Sequence, residues 1–220
     1  MSAEASPRPL RRDAERNRQR ILAAARAVFA REGLEVSLDA IAREAGVGVG
    51  TVYRRFADKE QLIEALFEES LGELVTMARD ALAIADPWDA FVAFLVGAVE
   101  RQTSDRGLKE LLLSTAHGQD QIARARDQLV PLVTELVERA QRSGQLRPDI
   151  APSDFALIQF GLGSVAEYTA DVQPDAWRRM LGLVIDGLRV HRDAPSSLVA
   201  PALDTDEIEC AMREWRPRRR

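Results

Sequence analysis

The stretch Ser37-Leu38-Asp39-Ala40-Ile41-Ala42-Arg43-Glu44-Ala45-Gly46-Val47-Gly48-Val49-Gly50-Thr51-Val52-Tyr53-Arg54-Arg55-Phe56 decides how this chain of 220 residues is read. Leu38, Ile41, Ala42 and Ala45 recur at helical spacing, and Ser37 stands where a hydroxyl caps a first turn. Gly46 can adopt positive φ and end that helix. A second short helix then runs over 49–55, with Val52 and Phe56 inward and Thr51, Tyr53, Arg54 and Arg55 outward. Arginine pairs in bidentate fashion with guanine or phosphate, so an exposed helix of this composition has the chemistry of DNA recognition. The motif is a helix-turn-helix.

Charge supports that reading by its distribution. The net charge of −5 alone argues against a nucleic-acid binder. Residues 1–60, however, hold 12 Lys and Arg against 9 Asp and Glu, whereas 61–220 hold 18 against 26. The basic end carries the motif. The single cysteine, Cys210, permits no intrachain disulfide and no thiolate cluster within one chain, as suits a reducing cytoplasm. The N-terminus lacks a signal-peptide core and the longest apolar run, 90–99, is too short to span a bilayer. A cytoplasmic protein with no membrane partner is expected, nucleoid-associated when on DNA.

Outward from the motif, the chain reads as helices throughout, with no sustained period-2 alternation. Residues 1–12 are expected to be a disordered basic leader. Ile21, Leu22, Ala25, Val28 and Phe29 stripe a first helix over 13–31, stopped at Gly33, whose arginine-rich start can approach phosphates. Asp58 caps a long helix over 59–83. Helices are expected over 88–103, 108–117 and 121–142, the last kinked at Pro131. A loop over 144–152 precedes a helix capped by Ser153 or Asp154, apolar nearly all round, and a final helix over 175–191. The segment 193–220 reads as a flexible tail with a short helix near 207–215. The domains are therefore 13–76 for DNA binding, with the motif at 37–56, and 77–192, a second helical domain.

A helix ending Phe-x-x-x-Gly, a helix-turn-helix with Ala-Gly-Val at its turn, then Gly-Thr-Val-Tyr-x-x-Phe and Asp-Lys-Glu resemble the TetR family of bacterial repressors over about 15–70. The resemblance implies an all-α homodimer whose N-terminal three-helix domain binds double-stranded operator DNA and whose C-terminal helical domain binds a small-molecule effector that releases it. Thr51, Tyr53 and Arg54 match recognition-helix positions, Lys59 matches a phosphate contact, and Ser37 matches the motif's cap; Gly50 and Arg55 complete the expected DNA-binding set. Gly48, Val49 and Ala57 depart from the family's frequent Ser, Lys and Pro, and Arg54 with Arg55 would replace the missing lysine. Ser143-Gly144-Gln145-Leu146-Arg147-Pro148-Asp149 also looks like the C-terminal half of many members.

For the effector, Trp88, Phe91, Phe94, Leu95, His117, Leu129, Phe155, Gln159 and Tyr168 are candidates, although apolar residues at helical spacing equally fill a core. For the dimer, Gly161, Leu162, Val165, Trp177, Leu181, Val184, Ile185 and Leu188 are expected to build a four-helix bundle across the two-fold axis; the alternative is that these stripes face the chain's own core. Gly46, Gly48 and Gly50 invite a dinucleotide reading, which fails because no strand precedes them. With two distant histidines and no nucleophile–base pairing, neither catalytic residues, a metal nor a cofactor is expected. A helical protein-interaction adaptor or ligand-binding module without DNA binding remains the alternative.

Overall fold

In the computed structural model the described residues are 8–104, 124, 127–191, 198, 201–204, 207–208 and 210. Among them lie eight helices: α1 (Arg8–Glu32), α2 (Leu38–Ala45), α3 (Val49–Arg55), α4 (Lys59–Leu82), α5 (Pro87–Ser104), α6 (Val130–Arg142), α7 (Pro152–Tyr168) and α8 (Ala176–Leu188). No strand occurs among these residues; Leu146 and Arg189 form one isolated antiparallel bridge. The fold is all-α. The chain divides into two compact units, 1–72 with 105–125, and 73–104 with 126–220, so α4 contributes to both.

In the first unit α1 packs on α2 and α2 on α3. Ile21, Leu22, Ala25, Val28 and Phe29 of α1 are buried, and Gly33, at φ 79°, ends the helix with its N–H on the Phe29 carbonyl. Arg26 ties α1 to α4 through Glu69 at 2.9 Å and the Ser70 hydroxyl at 3.2 Å. At the start of α4, the Asp58 carboxylate accepts from the Gln61 N–H at 2.8 Å, as the sequence predicts.

The second unit has one core in which Trp88, Phe91, Phe94 and Leu95 of α5 meet Val133, Leu136 and Val137 of α6, Phe155 and Leu162 of α7, and Trp177, Leu181 and Leu188 of α8. Asp86 caps α5, its Oδ1 accepting from the Trp88 and Asp89 N–H groups at 2.9 Å each. The Gln145 side chain accepts from the Trp88 N–H at 3.1 Å and donates to Asp86 at 3.3 Å, while the Arg189 guanidinium lies 4.5 Å over the Trp88 ring. The 143–149 stretch is thus a fastening: Gly144 turns at φ 75°, Leu146 is buried, and Arg147 N–H and Val190 N–H pair the loop to the end of α8.

The structure bears on four further expectations. The first helix begins at Arg8, so 8–12 continue it in place of a disordered leader; the arginines there are good helix formers and nothing before Gly33 interrupts the pattern. The helix expected over 121–142 is interrupted at Leu129, a turn that follows helical Asp127 and Gln128, and α6 starts afresh at Val130 with Pro131 in its first turn, where the missing N–H has no intrahelical partner to lose. Pro152, not Ser153, opens α7, and the Asp154 carboxylate reaches back to the Ala151 N–H at 2.9 Å. In the tail, Leu198 lies against Gly182 of α8, and Asp204 and Glu207 cap each other's N–H groups at 2.8 and 2.9 Å to start a helical turn. The helix expected over 108–117, and the remainder of that over 207–215, fall outside the described residues.

Gly46→Ala should destabilise the protein by about 1–2 kcal/mol in chemical denaturation, because a Cβ is strained at its positive φ. The Asp86 carboxyl is held below its ordinary value by the Asp89 N–H, the Gln145 amide and the Trp88 N–H, against an opposing desolvation. A depressed folded pKa contributes stability that is present above the unfolded value and lost as pH falls through the folded one. The thermal midpoint of Asp86→Asn should therefore lie below that of the parent at neutral pH, and the gap should narrow on acidification.

Candidate nucleic-acid interface

The motif is held by its backbone first. The Ser37 hydroxyl caps α2 by accepting from the Ala40 N–H at 3.3 Å. Leu38, Ile41, Ala42 and Ala45 are buried. At the other end Gly46, at φ 62°, donates to the Arg43 carbonyl and Val47 donates to the Ala42 carbonyl, both at 3.1 Å. That pair of bonds is the Schellman stop, which needs a left-handed residue where glycine stands. Helix α3 then starts from Gly48, whose carbonyl accepts the Thr51 N–H at 2.8 Å, and ends where the Phe56 N–H meets the Val52 carbonyl at 2.8 Å. Val52 is wholly buried and Phe56 is 4% exposed. At 1.5 Å per residue α3 is about 10 Å long, short enough to lie within a major groove about 12 Å wide.

With those two side chains inward, Val49, Tyr53, Arg54 and Arg55 are exposed, Gly50 has open space where a Cβ would be, and Thr51 is half-buried. The Thr51 hydroxyl accepts from Arg54 Nη2 at 3.2 Å, so the two residues form one polar unit along the helix. Arg55 turns the other way, its Nη2 lying 3.7 Å from Glu15 of α1; Glu15 also meets Arg18 at 3.6 Å and accepts from the Gln19 amide at 3.2 Å. The Lys59 ammonium donates to the Leu34 carbonyl at 2.8 Å, which fixes the loop before α2 and leaves two of its protons for other acceptors. Ser37 is exposed beside its capping role. The α1 contributions are not visible in local spacing: Arg20, whose Nη2 donates to the carbonyls of Ala45 at 2.8 Å and Gly46 at 3.1 Å, lies 25 and 26 positions from its acceptors.

The expected effector and dimer residues are placed differently. Trp88, Phe91, Phe94, Leu95 and Phe155 are each 6% exposed or less, with Phe94 and Phe155 stacked at 5.0 Å, so they fill core. Leu129, Gln159 and Tyr168 are half-buried, the Gln159 amide donating to the Ala98 carbonyl at 3.1 Å; His117 lies outside the described residues. Leu162, Trp177, Leu181 and Leu188 belong to the same core, and Gly163 has the Gln102 side chain where its Cβ would be. Of the expected dimer set, Gly161 is exposed and Val165, Val184 and Ile185 are half-buried. α7 and α8 each also carry a second apolar stripe, Leu157 and Phe160 on one and Met180 and Leu183 on the other, from 41% to 69% exposed.

Two family descriptions match the chain: bacterial regulatory proteins of the tetR family over 21–66, and the C-terminal domain of SbtR-like transcriptional regulators over 86–190. A curated HTH-type transcriptional regulator of Staphylococcus aureus is 43% identical over 68 residues, which are 30% of this chain and 37% of that relative's length. A TetR regulator of Streptomyces coelicolor is 35% identical, aligned over 78% of this chain and 98% of its own, with a TM-score of 0.60. The crystal structure of a TetR regulatory protein from Mycobacterium vanbaalenii is also 35% identical, aligned over 83% of this chain and all of its own, with a TM-score of 0.61. The chain belongs to the TetR family. In this TetR-family chain the N-terminal match covers α2 and α3 and parts of α1 and α4, the elements that present Thr51, Tyr53 and Arg54. No helix of the described residues is long and apolar enough to cross a membrane, and none of their His, Cys, Asp and Glu groups could hold a metal ion.

Arg54→Ala should weaken binding to a selected DNA site by about 1–3 kcal/mol and relax preference at one base position, as expected for a side chain reaching a base edge. Tyr53→Phe should weaken all sequences alike, because a phosphate contact positions without specifying. Fluorescence anisotropy at one fixed salt concentration, on the selected site and on scrambled DNA, separates the two.

Proposed function

We propose that this chain is a DNA-binding transcriptional repressor that reads its operator as a symmetric homodimer and is released by a small-molecule effector. The observation that carries the DNA reading is the exposed Tyr53, Arg54 and Arg55 on a helix whose other side is fixed by buried Val52 and Phe56. Ser37, Gly50, Thr51 and Lys59 complete the proposed interface: Ser37 and Lys59 hold the motif's ends, Gly50 lets the backbone come close, and Thr51 steers Arg54. An adaptor would have no need of this combination of a preset helix and an exposed Arg54 that meets no carboxylate among the described residues.

The dimer is assigned to the outward stripes. Leu157, Phe160, Gly161 and Ser164 follow one another at helical spacing on α7, as do Met180, Leu183 and Gly187 on α8, and the two helices pack together. A second copy contributing the same pair makes a four-helix bundle with an isologous contact. Two recognition helices then read two half-sites, which one helix of seven residues cannot replace.

The effector belongs to the second unit, where Gln159 reaches the Ala98 carbonyl of α5 and the half-buried Leu129 packs on the core. Release requires that the effector bind the DNA-free conformation more tightly than the DNA-bound one, and α4, shared by both units, is the covalent route for such coupling. A thermal-shift screen against small apolar and amphipathic metabolites, followed by operator release in the presence of each hit, tests this part; hits that stabilise the protein without altering DNA affinity would contradict it.

Met180→Glu combined with Leu183→Glu should give a folded monomer in sedimentation equilibrium and lose operator binding by at least about tenfold, because like charges would face each other across the axis. Both residues point away from the core, so the change tests association and not folding. A double variant that remains dimeric would contradict this assignment.

A further inference from the structure

Six arginines of the first unit meet a carboxylate, whereas among the described residues Arg20, Arg43 and Arg54 do not, and of these three Arg20 is held by the main chain. Arg16 pairs with Asp13, Arg18 and Arg55 with Glu15, Arg26 with Glu69, Arg31 with Glu32 and Glu44, and Arg124 with Glu64 and Glu68. Arg20 is different. It is exposed, no carboxylate among the described residues pairs with it, and one nitrogen, Nη2, donates to two main-chain carbonyls, Ala45 O at 2.8 Å and Gly46 O at 3.1 Å. A guanidinium has five donors in a rigid fork. Two are spent on the helix-turn-helix turn, which leaves the Nε–H and the two Nη1 protons as single donors for other acceptors.

From this geometry we infer that Arg20 is an additional anchor for a DNA backbone phosphate, pre-oriented by the turn it clasps. The inference rests on the DNA-binding reading above. Its physical basis is preorganisation: a free arginine loses rotamer freedom on reaching a phosphate, whereas one already held by two carbonyls loses less. The carbonyls place the cation at the negative end of α2, which partly offsets its charge, but being neutral dipoles they leave it a net positive charge for an anion. The site depends on Gly46, since a Cβ there would stand 3.0 Å from Nη2. Arg20 thus joins the turn before the recognition helix to the backbone that flanks the groove, and it contributes affinity and register without sequence information.

The test compares the parent, Arg20→Gln and Arg20→Lys on a selected operator and on unrelated DNA across a salt series, with thermal midpoints taken alongside. Binding by the parent establishes the DNA reading independently; its failure on all DNA would remove that reading, not just this one. Given parental binding, Arg20→Gln should lose affinity for both DNAs by the same factor, about three- to tenfold, and the slope of log affinity on log salt should fall by about 0.9 per bound protomer. Arg20→Lys, which keeps the charge, should restore the slope. A purely structural role would instead lower the midpoint and the operator preference with the slope unchanged, and that result would overturn the inference. If Arg20→Gln does not fold, single methylphosphonate substitutions in the operator decide between parent and Arg20→Lys: one neutralised phosphate per half-site should cost the parent more than the lysine variant, and equal costs at every phosphate would overturn it.

Discussion

A helix of seven residues does not hold itself together in water, since nucleation costs more than so few bonds return. Everything α3 presents to a partner is therefore set by Val52 and Phe56, the two side chains that enter the core beneath it and together remove roughly 3–6 kcal/mol of apolar surface from water. Their position fixes the rotation of the helix, and the rotation decides that Tyr53, Arg54 and Arg55 face outward. The turn before α3 is fixed as firmly: Gly46 takes the left-handed conformation, closes α2, and leaves room for the Arg20 guanidinium to lie on the carbonyls. Affinity and register at such a surface depend on this framework more than on any one exposed group.

The motif was legible in the sequence because each of its parts is local. Caps, glycine stops and apolar spacing all act within four or five positions, and the bounds of α2 and α3 follow from Ser37, Gly46, Gly48 and Phe56. What was not legible is what long side chains do across sequence distance. Arg20 and Arg26 meet partners 25 to 44 positions away, and Lys59 turns back to Leu34, although as a flexible cation it reads equally well as a free phosphate contact.

The C-terminal half shows the other limit of pattern reading. Spacing identifies α8 as amphipathic, and Trp177, Leu181 and Leu188 of its stripe face the chain's own core, while Met180 at the stripe's edge and Leu183 beyond it look outward. A helix in a dimer bundle needs two apolar faces, and the more regular one goes to the interior because a single chain must close its core first. Aromatic content has the same double reading, since Phe94 and Phe155 stack on each other inside the second unit's core. The Ser143 to Asp149 stretch carried more than its composition suggested, since Gln145 and Leu146 fasten the loop to the starts and ends of two helices.

The central claim is that two copies of α3, each preset by its own core, read DNA together. Selection of bound sequences from a random double-stranded library by the purified protein tests it most directly. The account predicts an enriched inverted repeat whose half-site centres lie one helical turn, about 34–36 Å, or a multiple of it apart. A library that emerges without enrichment, or with a single asymmetric site occupied by one protomer, would contradict it.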